Sequence, residues 1–293
     1  MSRRVVGILC GLGAASIWGG MYVVSKVVLE IIPPFSLVSL RLILGALTLV
    51  IVLLMRGSSK ISRKQLLQVL SVGLVGYGIS LSLQFLGTKL STAANGSLVT
   101  SSTPAFVLIF AWILLKENIT LRRLIALLFA TLGVVAVIDP RSAQLNPDLF
   151  LGNVLLLGAA VTWALYSVLV RKFTQNLEVL LFSLIAFLGG LPITIPAGAW
   201  ELKTIGVGEI SVGIVGGVLF LGIISTALAM VLWNSAFALI DASLASLTFF
   251  AQPVVGTILG SLFLREKITP LFLLGGLLIG VGLFISSREK QTT

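Results

Sequence analysis

The polar side chains best suited to bind a ligand lie on two apolar segments that each contain a proline, 92–115 and 242–264. Small and polar residues recur there at three- and four-residue spacing, so a helical period places each set on one stripe. A proline leaves the carbonyl four residues earlier without its helical hydrogen bond, and polar groups beside it can then face a water-filled cavity. The plainer interpretation is that small residues let helices pack closely while hydroxyls bond to their own backbone. The candidate cavity residues on these segments are Ser97, Ser101, Pro104, Ser243, Ser246, Phe250, Gln252 and Pro253.

Two other apolar segments carry paired aromatic residues. Trp18 and Tyr22 form an i,i+4 pair, and Trp163 and Tyr166 form an i,i+3 pair, so each pair points in one direction from a helix. A buried indole N–H needs a hydrogen-bond acceptor. These four residues are therefore predicted either to line a cavity or to pack in the core with each N–H bonded to a neighbouring helix.

Three further residues are candidates on chemical grounds. Tyr77 and Gln84 place polar groups on a third apolar segment, where a substrate or an ordinary inter-helix hydrogen bond would satisfy them equally well. Arg41 is the one cation well inside a predicted span. It would suit an anionic group such as a carboxylate, or it anchors the fold by reaching the surface or binding loop carbonyls.

Catalytic and metal chemistry have little support in this sequence. All ten acidic residues lie at segment ends or in loops, histidine is absent, and the one cysteine is Cys10. No acid–base pair, activated nucleophile or metal-ligand set is therefore expected at depth, and we predict no catalytic residue, metal or cofactor. A proton-driven pathway usually needs a titrating group within the membrane, which favours facilitated diffusion or exchange. Glu30 and Asp139, near helix ends, leave proton coupling open.

The elements that must position these residues are apolar helices. Hydrophobic residues make up 57% of the chain and charged residues 10%, and the mean hydropathy is +1.14, which excludes an ordinary soluble domain. At about 20 residues per span, the 293 residues have room for about ten helices. Apolar runs predict them at 5–28, 35–55, 66–87, 92–115, 121–138, 151–171, 178–196, 211–236, 242–264 and 269–287.

Charge sets the expected orientation and partners. Twenty Lys and Arg against ten Asp and Glu give a net charge of +10, but the cations are scattered and form no stripe for nucleic acid. With both termini inside, thirteen cations lie on inner segments and six on outer ones, which predicts cytoplasmic termini. The expected partners are the lipid bilayer and a small-molecule substrate, with no nucleic acid, and monomer and homodimer both stay open. The short junctions at 89–91 and 240–241 are either loops or kinks.

An internal repeat organises the chain. The run 13–18 resembles 158–163, the run 116–120 resembles 265–269, and at the second offset Pro104 and Gly133 fall on Pro253 and Gly282. The halves, 1–141 and 142–293, hold five spans each, so the second must enter the membrane from the opposite side. We therefore predict an all-α membrane protein with ten transmembrane helices in two inverted five-helix repeats, an arrangement that many secondary transporters use for alternating access.

The chain resembles the EamA-type family of the drug/metabolite transporter superfamily over essentially its whole length. The matching features are Ala14-Ala15 with Trp18, Pro33-Pro34 followed by Arg41, the Pro104 helix, and Glu117, Ile119 and Thr120 with their copy. The resemblance implies the ten-helix inverted-repeat fold and export or exchange of amino acids or other small metabolites, in a prokaryotic cytoplasmic membrane. It also makes Arg41 a marker of the fold, and it specifies the fold far more than the substrate.

The leading hypothesis is a carrier or exporter of small polar metabolites such as amino acids or their derivatives. A nucleotide-sugar carrier or a carrier of drugs and amphipathic cations is the alternative, although a phosphate-bearing ligand should demand more cations than Arg41 alone. A channel would need a continuous lined pore. A non-transporting scaffold would need larger loops than the short ones present here.

Overall fold

The computed structural model describes residues 2–57, 61–91, 99–138, 147–264 and 270–288, and those residues form ten long helices and no strand. Apolar side chains dominate every helix. Such segments are helical because a helix satisfies all of its backbone hydrogen bonds internally within a bilayer. The helices are α1 (Arg3–Val28), α2 (Pro34–Arg56), α3 (Arg63–Lys89), α4 (Thr103–Leu115), α5 (Leu121–Ile138), α6 (Phe150–Phe173), α7 (Val179–Thr204), α8 (Val212–Leu239), α9 (242–264) and α10 (Pro270–Ser287).

Over the described residues, six of these helices are long and apolar enough to cross a membrane: α1, α2, α3, α6, α7 and α8. The ten helices occur where the sequence predicts them. The largest difference in a described boundary is at α7, which continues to Thr204 instead of ending at 196. It continues through Pro192 and Pro196, and the Glu201 carboxylate near its end accepts a hydrogen bond from the backbone N–H of Ser36 at 3.0 Å, which holds the last turns in place.

The helices that contain Pro104 and Pro253 are irregular just before the proline. The predicted helix at 92–115 is interrupted by a turn at 101–102, so that α4 begins at Thr103 with Pro104 in its first turn, where a missing N–H costs nothing. In α9 a 3-10 turn at Thr248–Phe250 separates Ala242–Leu247 from Ala251–Leu264. The junction before α9 is a true break, because Ile240 is extended (φ −131°, ψ 166°).

Two helices widen into π-helical segments in mid-course, Leu74–Ser80 in α3 and Phe220–Leu228 in α8. Such segments place side chains outside the normal helical register and occur frequently at functional sites. In α8 the Thr226 hydroxyl follows the wider turn and donates to the Leu221 carbonyl at 2.7 Å. Both segments lie where the helices meet the site described below.

Helix packing follows a paired scheme. α1 packs on α8 and α9, and α6 packs on α3 and α4; α2 packs on α8, and α7 packs on α3; α2 also meets α7, and α5 meets α10. Exchanging the first five helices for the last five leaves this set of pairs unchanged. The first turn of α1 lies beside the end of α10, since the Arg4 guanidinium donates to the Ser286 carbonyl at 3.2 Å.

Candidate functional site

Six aromatic side chains from five helices meet inside the bundle, with neighbouring ring centroids 4.9–6.2 Å apart. Such offset and edge-to-face contacts stabilise by about 0.5–1.5 kcal/mol per pair beyond the buried area. Five of the six, all except Phe249, are at least nine-tenths buried. This central aromatic cluster consists of Trp18 on α1, Tyr77 on α3, Trp163 and Tyr166 on α6, Trp233 on α8 and Phe249 on α9.

The backbone of α3 makes room for the cluster. Tyr77 lies in the π-helical segment of α3, and the ring of Tyr166 rests against Gly76, where any Cβ would overlap it. Gly190 of α7 leaves similar space for Tyr77, because a Cβ at Gly190 would lie 2.6 Å from the Tyr77 Cβ. The two tyrosines therefore reach each other because glycine stands at both crossings.

A directed chain of hydrogen bonds leaves the cluster through these tyrosines. The Tyr166 hydroxyl donates to Asn234 Oδ1 at 2.9 Å, so the Tyr77 hydroxyl, 2.5 Å away, must donate to the Tyr166 oxygen. Asn234 Nδ2 donates to Ser183 Oγ at 2.9 Å, and Ser183 donates to the Val179 carbonyl at 2.7 Å. Each donor has an acceptor, as buried polar groups require.

The three indole N–H groups of the cluster differ in their partners. Trp18 donates to the Ser225 carbonyl at 3.0 Å, and Trp233 donates to the Ser167 hydroxyl at 3.2 Å. The buried Nε1 of Trp163 has no hydrogen-bond partner among the described residues. Of the predicted aromatic pairs, the structure thus brings Trp18, Trp163 and Tyr166 together, while the side chain of Tyr22 lies outside the described part.

Arg41 is buried close to the cluster, with 3% of the residue exposed. Its guanidinium donates to Thr226 Oγ1 at 3.1 Å, to Ser225 Oγ at 3.4 Å and to the Met21 sulfur at 3.2 Å. The side chain stays within the bundle and does not reach the surface. It joins α2 to the π-helical segment of α8, next to the carbonyl that accepts from Trp18.

The proline-associated residues form a second, separate group. Pro104, Ser243 and Ser246 line a cavity of about 10 Å³, roughly the size of one water, together with Leu108, Arg123, Leu127, Leu247 and Ser286. The Ser246 hydroxyl donates to the Ser243 carbonyl at 2.9 Å, which is the self-bonding that the plainer interpretation expects. Ser101 is buried beside Pro104, and Ser97 lies outside the described residues.

The remaining predicted residues of the described chain lie on α3 and α9. Phe250 packs in a separate apolar cluster with Ala126 and Ile279, on the side of α5 and α10. Gln252 is buried in α9, where its carbonyl would lie 2.8 Å from a Cβ at Gly19. Pro253 and Gln84 are half-buried, on α9 and α3.

Four charged side chains form a closed network between the ends of α4, α6 and α8 and the start of α5. Arg123 Nη2 lies 2.7 Å from Asp241 Oδ2, and Arg123 Nη1 lies 3.2 Å from Glu117 Oε2. Arg171 completes the ring, 3.3 Å from Asp241 and 3.5 Å from Glu117. The charges balance, and Glu117, Arg123 and Asp241 are almost fully buried. We refer to these four residues as the charged cluster.

Glu117, which lies between α4 and α5, also caps the N-terminus of α9. Its carboxylate accepts from the backbone N–H of Ala242 at 2.7 Å and of Ser243 at 3.2 Å, and from the Ser243 hydroxyl at 2.7 Å. A carboxylate there satisfies unpaired N–H groups and complements the positive end of the helix. Ser243, a predicted cavity residue, therefore takes part in a structural cap, and the copy of this motif at 265–269 lies outside the described residues.

An apolar cleft of about 200 Å³ opens between α1, α9 and α10, lined by Ile8, Leu12, Leu244, Thr248, Leu283 and Phe284. Its lining carries no charge, so it suits hydrocarbon more than a polar solute. Within the described ranges, no group of three or more Cys, Asp or Glu side chains could hold a metal ion. The polar groups of the interior therefore lie mainly at the central aromatic cluster and in the charged cluster.

Four of the residues in and beside the cluster are not among the sequence candidates: Trp233, Asn234, Ser183 and Phe249. An amide within an apolar segment signalled Asn234, but its position near a helix end suggested the inner surface, whereas it is fully buried. Ser183 gave no signal, since a lone helical serine usually bonds its own backbone. Phe249 was passed over for its neighbour, because the repeat alignment selects Phe250.

Comparison with known proteins identifies the family. The model of the EamA-like transporter family matches residues 5–138 and again residues 150–288. The uncharacterized transporter YyaM of Bacillus subtilis is 28% identical over 281 residues, which cover 94% of this chain and 92% of that protein. An uncharacterized transporter of Archaeoglobus fulgidus is 28% identical over 274 residues, covering 93% and 95%.

A solved crystal structure has the same fold. It superposes with a TM-score of 0.82 at 21% sequence identity, covering 97% of this chain and 96% of the other. At this identity the likeness concerns the fold alone. The ten-helix arrangement described above is therefore one that an experimentally determined protein also adopts.

Proposed function

Because the chain belongs to the EamA-like transporter family, we propose that it is a secondary carrier that moves amino acids or their derivatives across a prokaryotic cytoplasmic membrane. Transport would proceed by alternating access of two inverted five-helix halves, residues 1–141 and 142–293. The single observation that carries the proposal is the central aromatic cluster, where buried polar groups from both halves meet. Trp18 and Tyr77 come from the first half, and Trp163, Tyr166 and Trp233 come from the second.

The α5–α10 contact supports the inverted relation of the halves. A Cβ at Gly133 would lie 2.6 Å from the carbonyl oxygen of Gly275, and a Cβ at Gly282 would lie 2.7 Å from that of Ala126. Gly133 and Gly282 differ by 149 positions, as do Ala126 and Gly275. Later residues of one helix meet earlier residues of the other, so the helices run antiparallel. A two-fold axis that exchanges antiparallel helices is perpendicular to them, and for membrane-spanning helices it lies in the membrane plane.

Two observations support cytoplasmic termini. The contact of Arg4 with the Ser286 carbonyl places the start of α1 and the end of α10 on the same face. Thirteen inner cations against six outer ones then favour the cytoplasm for that face. The family's double match and its bacterial and archaeal relatives support a prokaryotic two-repeat carrier.

The interior favours a zwitterionic solute. Aromatic faces attract an ammonium group with about 0.5–2 kcal/mol. The buried guanidinium of Arg41 is close to these faces, because Arg41 and Trp18 both donate hydrogen bonds to Ser225. The same aromatic faces also support the second candidate, a carrier of amphipathic cations. A nucleotide sugar is less favoured, because paired phosphates ask for several cations.

Reconstitution into liposomes tests this function. Uptake of labelled amino acids, nucleosides and amphipathic cations is measured with and without a pH gradient, against protein-free vesicles and vesicles holding an unrelated membrane protein. We expect saturable, stereoselective uptake of at least one amino acid. Uptake of cations alone would select the second candidate, and no uptake above the protein-free rate for any compound would refute the carrier function.

A further inference from the structure

Trp18 and Trp163 occupy equivalent places in the two halves but do not have equivalent hydrogen bonds. Each ends one of two similar six-residue runs, at 13–18 and 158–163, and their rings touch edge to face at 6.0 Å. Trp18 donates to the carbonyl of Ser225, in the π-helical segment of α8.

Trp163 has no such acceptor among the described residues. Its ring stacks on Tyr166 at 4.9 Å with an interplanar angle of 29°, and its Nε1 is buried without a partner among the described residues. The symmetry of the repeat is therefore broken at one hydrogen-bond donor, and it is broken inside the central aromatic cluster.

An unpaired buried donor is costly. Leaving an N–H unsatisfied away from water costs about 1–3 kcal/mol, and native proteins leave few such groups. The donors around it are satisfied, since Tyr77, Tyr166, Asn234 and Trp233 all have acceptors. Five buried side-chain N or O atoms lack a partner among the described residues, and Trp163 Nε1 is the one that belongs to the central aromatic cluster. The lack of an acceptor for Nε1 within the described chain is explained if the acceptor belongs to the ligand.

We propose that the Trp163 indole N–H is a substrate-binding donor: it donates to no group of the described chain because its acceptor is the carboxylate of a zwitterionic amino acid. The ammonium group of the same molecule lies against the neighbouring aromatic faces, of which Trp18 and Tyr77 are 6.0 and 6.1 Å from Trp163. This inference rests on the proposed carrier function and adds the chemical group that is recognised. Since Nε1 is closed off in this conformation, the carboxylate enters when the surrounding helices separate.

The test pairs a change in the ligand with a change in the protein. Binding of L-leucine and isoamylamine, and of L-phenylalanine and phenethylamine, is measured by titration calorimetry on purified wild-type, Trp163→Phe, Trp18→Phe and Trp112→Phe proteins. Each amine keeps the ammonium and side chain of its amino acid but lacks the carboxylate. Trp112 is 55% exposed and controls for the loss of an indole elsewhere.

We expect the wild type to bind at least one amino acid about tenfold or more tightly than its amine, as a hydrogen bond to a charged group implies. Trp163→Phe should weaken binding of the amino acid and leave binding of the amine unchanged, so that the ratio of the two affinities falls about tenfold. The N–H of Trp18 is already bonded to Ser225, so Trp18→Phe should change the affinities for both ligands equally. Trp112→Phe should keep the wild-type ratio of affinities. An unchanged ratio in Trp163→Phe would overturn the inference.

A measurement on wild-type protein covers the case in which Trp163→Phe does not fold. Indole ¹⁵N labelling gives one N–H signal for each of the five tryptophans, and the Trp163 signal is assigned by eliminating the other four with single variants. L-leucine or L-phenylalanine should shift this signal downfield, whereas the amines should not. If the wild type binds neither amino acid while liposomes take up another class of solute, the inference fails and the carrier function stands. If liposomes take up nothing, both fail.

Discussion

Gly133 of α5 and Gly282 of α10 lie at one helix crossing, where the backbone of each glycine packs directly against a carbonyl oxygen of the other helix. Close approach of this kind stabilises helix pairs in membranes through packing and weak polar contacts. Because the contacts at the two glycines match across an offset of 149 residues, the crossing is where the relation between the halves can be tested by substitution.

Gly133→Ala and Gly282→Ala should destabilise the protein to a similar extent, by about 1–3 kcal/mol each, because the added Cβ would press on backbone that cannot rotate away. Gly276→Ala and Gly280→Ala, on the same helix α10, are the matched controls, since a Cβ at either meets nothing within 4 Å. Thermal unfolding in detergent measures the difference. Equal stability of all four variants would contradict the crossing described here.

Arg123→Met should be among the most destabilising single changes in the chain. It leaves two buried carboxylates, Asp241 and Glu117, with Arg171 as the one remaining cation of the charged cluster, and breaking such a buried pair typically costs about 3–5 kcal/mol. Its neighbour Arg122 is exposed and bonds only weakly to the Arg288 carbonyl, at 3.4 Å, so Arg122→Met should change stability by less than about 0.5 kcal/mol. Comparable losses in the two variants, measured by denaturation, would argue against the charged cluster.

The order of the tyrosine chain predicts unequal effects of removing its two hydroxyls. Tyr77→Phe removes only the first donor, at a cost of about 1 kcal/mol, whereas Tyr166→Phe also leaves Asn234 Oδ1 buried without a donor, at about 1–3 kcal/mol. Thermal stability of the two variants measures the order. A larger loss for Tyr77→Phe would reverse the donor direction assigned here.

The regular features of the fold follow from the sequence, since apolar runs bounded by charge and turn residues predict all ten helices. The described helix ends that differ most do so where tertiary contacts override the local signal. α7 continues past Pro192 and Pro196, and Glu201 in its last turns is tied to Ser36 of α2. The π-helical segments could not be foreseen, because their sequences look like any apolar helix.

The site was predicted unevenly for a physical reason. Trp18, Trp163, Tyr77 and Tyr166 were recognisable because large polar aromatics in mid-span must find partners. Whether a serine faces a ligand or its own backbone depends on helix rotation, which spacing alone does not specify. Hence Ser246 bonds to the carbonyl of Ser243 and lines a cavity of only about 10 Å³, apart from the aromatic rings.

Counterflow tests the central claim, that the chain is a carrier which alternates around the central aromatic cluster, most directly. Proteoliposomes are loaded with an unlabelled amino acid that the uptake panel has identified, and entry of the labelled form is compared with entry into empty proteoliposomes. The binding site of a carrier reorients faster with substrate bound than without it. Preloading should therefore accelerate entry of the labelled amino acid several-fold and cause its transient accumulation. Entry at the same rate with and without preloading, and without saturation, would contradict alternating access and indicate a pore.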